Sequence, residues 1–308
     1  MIIEIDERKF QNIFGIDPHP FISNKFLSLN RNKVEKIVWL VENIGKPEIG
    51  LVAGIKDDKL LSPFSAPFGG FHFKKENIYS TTVDHFILLL QEYVMSVGYK
   101  EFRVTLPPNI YHQTFNAKCT SSLLRANFQS LIPEITSWVD LQQFKGVYGQ
   151  KNSREYYRQA LRNELVFEYT ETEDDKLEGY NLIKDNRAKF GRPIYMSLDD
   201  INQTSNLWPV DFFKVSTKEG NIVSFAILYR LNPQIVYAVF WGDNELGRSQ
   251  RAMDFLLLNL WSHYHKLGYK YVDLGISTED SIPNSGLLRF KETHEAVSSL
   301  RYKFNLIN

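Results

Sequence analysis

Residues 235–276 read IVYAVFWGDNELGRSQRAMDFLLLNLWSHYHKLGYKYVDLGI, and this stretch decides the fold. The continuous apolar run Ile235–Trp241 predicts a strand in the middle of a sheet, because both of its faces must be covered. The polar segment 242–250 then leads into a helix from about Arg251 to Leu267, which Gly268 ends. A strand at 269–274 completes a strand–helix–strand unit, which is typical of α/β proteins.

The same order of elements occurs a second time in the chain. Gly98-Tyr99-Lys100 repeats Gly268-Tyr269-Lys270, and a helix predicted at 81–97 precedes the first copy while a strand follows it. A duplicated unit predicts two domains, 1–150 and 151–308, each large enough for a core of its own. A cleft between the two copies is therefore the first place to expect a ligand.

The composition excludes several classes of protein. The 308 residues include 36 basic and 36 acidic side chains, so no global field attracts DNA or an anionic membrane. The amino terminus places charges where a signal peptide needs an uninterrupted apolar segment, and no apolar run approaches the length of a membrane span. We therefore expect a cytoplasmic protein. A single cysteine, Cys119, and scattered histidines offer no metal site.

The polar segment before the second long helix is the main candidate for binding. Known signatures such as GxxxxGK[ST], GxGxxG, HExxH and GxSxG do not occur in the sequence. A polar loop between a central strand and a helix is a good anion site, because the first N–H groups of the helix are unpaired. Within 244–250, Gly247 permits close approach and Arg248 adds a cation, so a pyrophosphate suits it. An ordinary capped loop explains the spacing equally well.

The carboxyl half carries a resemblance to a known superfamily. A β-hairpin at 210–229, the stretch 235–276, the string GLLRFKE at Gly286–Glu292 and a last apolar strand at Ser299–Phe304 resemble the GNAT acyltransferases. The arginine-bearing segment Arg154–Arg162 is similar to a helix in the tandem branch that includes the Fem-type aminoacyltransferases. The resemblance implies an α/β fold of the α+β type, with two tandem GNAT-like domains, each a mixed, twisted sheet flanked by helices.

The resemblance also implies a donor site for acyl-CoA in the second domain. Its pyrophosphate is expected on the polar loop, and its pantetheine arm along the preceding strand. The loop has fewer glycines than the family pattern, and Thr293-His294 replaces the usual Phe-Gly, so a donor other than CoA stays open. The implied cofactor-binding residues are Phe240, Trp241, Asn244, Leu246, Gly247, Arg248, Ser249 and Gln250.

Acyl transfer to an amine requires a base and a proton donor for the leaving group. Candidates are Asp273 and Ser277 after the long helix, Glu292 in the matched string and Tyr302 on the last strand. Each has a structural alternative: Asp273 can cap a turn, Glu292 can pair with Lys291 or Arg289, and Tyr302 can fill the core.

The glycine-rich segment of the first copy is a candidate acceptor site. The resemblance implies that four residues shape that site in the cleft: Phe68, Gly69, Gly70 and His72. Alternatively, the neighbouring prolines protect a sheet edge from pairing, and His72 is an ordinary hydrogen-bonded histidine. The expected acceptor is the amine of a small molecule or of a cell-wall precursor.

The sequence thus predicts an N-acyltransferase that uses acyl-CoA or a related activated donor. Two other functions stay open. A non-catalytic GNAT-like binding protein would keep the cleft without a working donor site. A Fem-type enzyme would take its acyl group from aminoacyl-tRNA and would need a local basic face.

Overall fold

The computed structural model describes residues 1–15, 17–279 and 281–307. Its strands, in chain order, are β1 Ile2–Ile5, β2 Lys36–Glu42, β3 Ile49–Lys56, β4 Lys59–Ser62, β5 Phe71–Phe73, β6 Glu101–Thr105, β7 Gln129–Ser130, β8 Glu134–Asp140, β9 Val166–Tyr169, β10 Val210–Ser216, β11 Ile222–Arg230, β12 Ile235–Asp243, β13 Tyr271–Ile276, β14 Thr278–Glu279, β15 Ile282–Pro283, β16 Ala296–Arg301 and β17 Lys303–Ile307. The helices are α1 Glu7–Phe14, α2 Asn24–Leu29, α3 Ser80–Val97, α4 Gln113–Arg125, α5 Lys151–Arg162, α6 Glu173–Lys189, α7 Leu198–Thr204, α8 Glu245–Ser249, α9 Ala252–Lys266 and α10 Ser285–Thr293.

The chain forms two compact units, and neither is one continuous segment. Unit 1 comprises mainly Met1–Ile135 and Ser299–Asn308, and unit 2 comprises Thr136–Glu279 and Pro283–Ser298. The division at Ile135 lies upstream of the boundary expected at 150/151. The last strand belongs to unit 1 because β17 pairs antiparallel with β6, Phe304 opposite Val104.

Unit 1 has a mixed sheet in the order β1-β2-β3-β4-β6-β17-β7, with β5 beside β3. Helix α3 covers it with an apolar stripe at helical spacing, which includes Val83, Phe86, Leu90 and Val94. The helix ends where Gly98 turns into the left-handed region, with φ of 82°. A side chain would be strained there, so glycine sets this end.

The glycine-rich segment of unit 1 is not one continuous strand. Strand β4 ends at Ser62, a cis peptide bond joins Ser62 to Pro63, and β5 begins only at Phe71. Proline has no backbone N–H to donate to a ladder, which explains the break. Buried Phe71 and Leu60 still face the core of unit 1.

Unit 2 has a mixed sheet in the order β16-β8-β13-β12-β11-β10-β9. Strand β12 lies between β11 and β13, which confirms its predicted central position. Helix α9 is buried on more than one side, with Leu256, Leu257 and Trp261 at most 1% exposed. It ends beside Gly268, whose φ is 83°.

The polar segment before α9 differs from the predicted loop. Residues 245–249 form the short helix α8, and Arg251 then adopts a left-handed conformation with φ of 63°. That bend separates α8 from α9, which therefore begins at Ala252. Because Asn244 caps α8 through its side chain, the segment is more regular than its sequence indicated.

Candidate functional site

The centre of the unit 2 sheet opens between two parallel strands. Strands β12 and β13 pair at Ile235–Tyr271, Val236–Val272 and Tyr237–Asp273. Beyond these pairs the strands part, and a cavity of about 490 Å³ lies between Ala238–Trp241 of β12 and Leu274–Ile276 of β13. A bulge on β12 accompanies the opening, since Ile227 of β11 faces Phe240 while Leu228 faces Ala238.

A buried lysine stabilises the edge of β13 at this opening. The Lys291 Nζ donates to the main-chain oxygens of Leu274, Gly275 and Ile276 at 2.9, 3.0 and 2.9 Å. Burial lowers the pKa of Lys291 to about 7, and the carboxylate of Asp273 opposes that shift. The ammonium thus replaces the ladder partners that β13 gives up where it leaves β12.

A second cavity of about 700 Å³ continues from the first toward the start of α9. Five residues line both cavities: Arg187, Arg192, Trp241, Asn284 and Leu287. We call the two cavities together the unit 2 cleft. The part between β12 and β13 is its splayed end, and the part lined by Arg248, Arg251 and Met253 is its anion end.

The anion end collects positive charge. Within the described part of the chain no side chain caps α9, so the N–H groups of its first turn are available at the wall of the cleft. The Arg251 guanidinium stacks 3.8 Å from the centre of the Tyr156 ring, and Arg248 pairs with Asp243 at 3.3 Å. Burial raises the pKa of Asp243, which the nearby Arg248 opposes.

Gly247 has a packing role in this segment. A Cβ at this position would lie 2.2 Å from the main-chain oxygen of Val223, so only glycine fits. Its N–H is already used, since it donates to Asn244 Oδ1 at 2.8 Å. The segment 245–249 therefore offers fewer free amides than an extended glycine-rich loop.

Helix α6 brings an arginine to the middle of the cleft. Arg187 lies over the Phe240 ring, 5.8 Å from its centre, and lines both cavities. Its Nε is buried and has no hydrogen-bond partner among the described residues. Desolvation lowers the pKa of Arg187, and neighbouring Arg192 adds to the effect. Arg192 itself pairs with Glu279 at 3.0 Å.

A buried acid–imidazole contact joins two walls of the cleft. Asp254, in the first turn of α9, lies 3.1 Å from Nε2 of His294, which follows α10. The other ring nitrogen of His294 lies 2.6 Å from the main-chain oxygen of Phe290. The residues that replace the family's Phe-Gly thus connect α10 to the start of α9.

The structure places the predicted catalytic residues in different surroundings. Asp273 is 1% exposed and accepts from the N–H of Gly275 at 2.8 Å, as its structural alternative describes. Ser277 is fully buried, with its hydroxyl 3.5 Å from that of Ser137. Glu292 is exposed on α10.

Tyr302 belongs to unit 1, where it stacks on Phe304 with ring centres 6.1 Å apart. Lys291 is not paired with Glu292 as that alternative proposed, because its ammonium donates to main-chain oxygens instead. None of these four residues lines the cleft, although Asp273 is the last residue of β13 that pairs with β12 and directly precedes its splayed end.

Three of the predicted cofactor-binding residues line the cleft: Phe240, Trp241 and Arg248. The others have local structural roles. Asn244 caps α8, Ser249 donates to the main-chain oxygen of Leu246, and Gln250 accepts from Asn163 through its main-chain oxygen. Gly247 packs on β11, as described above, and Leu246 is 45% exposed.

The predicted substrate-binding residues lie in unit 1. Phe68 is 1% exposed and packs in an aromatic cluster with His19 and Tyr111. His72 is equally buried and pairs with Asp17 at 3.0 Å. Gly69 donates its N–H to the main-chain oxygen of Thr105, and Gly70 donates to the Ser62 hydroxyl at 3.2 Å.

Sequence patterns did not predict four residues of the cleft and its walls: Arg187, Arg251, Asp254 and Lys291. Lys291 stood in the matched GLLRFKE string, which was the available signal for it. No sequence signal pointed to Arg187, because it lies on an ordinary polar helix far from β12 in sequence. Among the described residues, no cluster of three or more metal-ligating side chains occurs, and no helix is long and apolar enough to cross a membrane.

Comparisons with solved structures support the fold. FemX aligns over 100% of this chain and 97% of its own, with a TM-score of 0.68 and 11% identity. L-PGS from Bacillus licheniformis aligns over 98% of this chain and 92% of its own, with a TM-score of 0.59 and 13% identity. A tandem GNAT protein from the clavulanic acid biosynthesis pathway aligns over 100% and 98%, with 0.55 and 9%.

No family model matches the sequence, and no curated protein does. At identities of 9% to 13%, these similarities show the fold alone. The chain therefore has the tandem GNAT-like acyltransferase fold, an α/β architecture with two mixed sheets flanked by helices, as the sequence predicted.

Proposed function

We propose that unit 2 is an N-acyltransferase that moves an acyl group from acyl-CoA to an amine. The observation that carries the proposal is the parting of β12 from β13 after Tyr237 and Asp273. The edge of β12 facing the gap has main-chain groups that can pair with an extended amide-bearing arm, as an added strand would. The pantetheine arm of CoA is an extended, amide-bearing chain of this kind.

The charge distribution fits the same orientation. A donor whose arm lies along β12 has its phosphates at the anion end, near Arg248, Arg251 and the first turn of α9. Its reactive carbonyl then lies at the splayed end. The amine attacks that carbonyl and the carbon–sulfur bond breaks. The amine loses one proton and the thiolate leaving group gains one, so the reaction is balanced.

Glu279 is the proposed proton acceptor, directly or through water. Among the described residues, the carboxylates that line the cleft are Asp243, Asp254 and Glu279, and of these Glu279 lines its splayed end. Asp273, whose carboxylate accepts from the Gly275 N–H, is proposed to position β13. Lys291 holds the carbonyls on the same strand, so the two residues shape the opening from one side.

Thermal unfolding with CoA, acetyl-CoA and longer acyl-CoAs tests the donor. A ligand at 100 times its dissociation constant stabilises the folded state by about 2.7 kcal/mol, which raises Tm measurably. Release of the CoA thiol in the presence of an amine then separates an enzyme from a binding protein. A Tm increase without thiol release across an amine panel favours the non-catalytic alternative.

Aminoacyl-tRNA is the second candidate donor, and the regular structure of α8 favours it. Because Gly247 and Gln250 already donate their N–H groups, pyrophosphate finds fewer partners here than on a glycine-rich loop. If no acyl-CoA raises Tm, filter binding with charged tRNA is the next test. Phosphate recognition by basic side chains predicts affinity that falls steeply with salt.

A further inference from the structure

We propose that Arg187 binds a carboxylate of the amine acceptor, so that the acceptor is an α-amino acid or a compound bearing one. The identification of this ligand as the acceptor rests on the proposed function. The binding site itself does not depend on the reaction. Arg187 lines both parts of the unit 2 cleft, where a ligand extending from the splayed end meets it.

The guanidinium is prepared for an anion that the protein does not supply. Its Nε is shielded from solvent and has no hydrogen-bond partner among the described residues. A buried donor without a partner costs free energy, which a ligand that accepts from it recovers. The Phe240 ring lies under the guanidinium and leaves the edge of the planar group as its hydrogen-bonding direction.

Local charge balance selects a monoanion. Arg192 and Glu279 form an ion pair at 3.0 Å, so their charges cancel at the splayed end. Lys291 lies near the carboxylate of Asp273, whose charge opposes that of the ammonium. Arg187 forms no ion pair with a described residue and feels Glu279 only at longer range, so its single positive charge matches a carboxylate. A phosphate dianion in this half-buried position would leave net negative charge.

The shape of the contact also favours a carboxylate. An arginine edge donates through Nε and one Nη in parallel, and the two oxygens of a carboxylate match that spacing. Other cations of the cleft, Arg248 and Arg251, lie at its anion end and serve the donor in the proposed function. Arg187 is therefore available to the acceptor.

The experiment follows the Nε–H resonance of Arg187 by NMR in the full chain without any acyl donor. The resonance is assigned by its loss in Arg187→Met, which keeps the apolar stem over Phe240. Titrations use acetate, inorganic phosphate, and L- and D-α-amino acids, each amino acid paired with its decarboxylated amine. Lys184→Met, an exposed change on the same helix, is the control variant.

Acetate and at least one amino acid are expected to shift this resonance, and the decarboxylated amines are not. Arg187→Met should weaken binding of that amino acid ~10- to 100-fold, as loss of a charged hydrogen-bonding partner does. Lys184→Met should bind as the unaltered protein does. The inference is overturned if amino acids and their decarboxylated amines bind alike, if phosphate alone shifts the resonance, or if Arg187→Met binds normally.

Failure of the inference and failure of the proposed function are distinguishable. Acyl-CoA binding and acyl transfer that show no preference for carboxylated amines leave the function standing and overturn the inference. Carboxylate binding that requires Arg187, in a protein that no acyl-CoA stabilises, supports the inference and removes the CoA-dependent function.

Discussion

The Nζ of Lys291 lies 2.9 Å from the main-chain oxygen of Leu274, and the same ammonium reaches the next two main-chain oxygens of β13. One side chain thus supports the strand edge that borders the opening. The opening depends on this lysine, because main-chain carbonyls that lose their partners in the neighbouring strand need other hydrogen-bond donors.

We expect Lys291→Met to destabilise unit 2 by about 2 kcal/mol. The change leaves three main-chain carbonyls, those of Leu274, Gly275 and Ile276, without this donor, while relief from burying a charge offsets part of the loss. Urea unfolding measures the change, and Lys184→Met, exposed on α6, should stay within about 0.5 kcal/mol of the unaltered protein. Equal stability of Lys291→Met and the unaltered protein would contradict the assigned role.

The contribution of Lys291 to stability should rise with pH. Its pKa is about 7 in the folded protein against an ordinary 10.5, so between these values the unfolded chain binds more protons than the folded one. The free energy of unfolding therefore increases with pH across that window. Urea unfolding from pH 7 to 10 should show this increase in the unaltered protein and a smaller one in Lys291→Met. Parallel curves would show that the lysine does not titrate there.

His19 should make unit 1 sensitive to acid. Burial lowers its pKa to about 3 from an ordinary 6.5, and the main-chain oxygen of Gly69, 2.9 Å from Nε2, opposes the shift. Folded His19 is neutral, so stability should fall as pH decreases from 6.5 toward 3, by a few kcal/mol in order of magnitude. His19→Gln keeps a donor for Gly69 and should flatten this part of the curve. An unchanged slope would exclude His19 as its source.

Gly247→Ala should cost at least about 2 kcal/mol. The new Cβ would lie 2.2 Å from the main-chain oxygen of Val223, so α8 or β11 must shift. Gly45→Ala is the matched control, because nothing lies within 4 Å of a Cβ there. Thermal unfolding compares the two. Similar small effects would mean that α8 moves away from β11 at little cost.

Arg248→Glu should weaken binding of acetyl-CoA about tenfold while the protein stays folded. The arginine is half exposed and lines the anion end, so reversing its charge acts on a phosphate more than on the fold. Titration calorimetry gives the affinity, and Arg8→Glu, an exposed change in unit 1, controls for net charge. Unchanged affinity in Arg248→Glu would remove this residue from the donor site.

Local patterns predicted the elements around the cleft because each depends on neighbours in sequence. The apolar run Ile235–Trp241 and the helix before Gly268 were correct to within a few residues at their ends. The start of α9 at Ala252 lies one residue from the predicted Arg251, but the short helix α8 before it and the stacking of Arg251 on Tyr156 were not predicted. Nothing in the sequence near Arg251 indicates that contact.

The sequence by itself determined the elements, their order and the tandem GNAT-like fold, because apolar periodicity and glycines at helix ends act over a few residues. Only the tertiary structure decided the site. Strands β12 and β13 part at Tyr237, and Lys291 and Arg187 reach the opening from helices distant in sequence. Such placement depends on which carbonyls and rings the fold brings near each cation, and burial then sets the charge that each can carry.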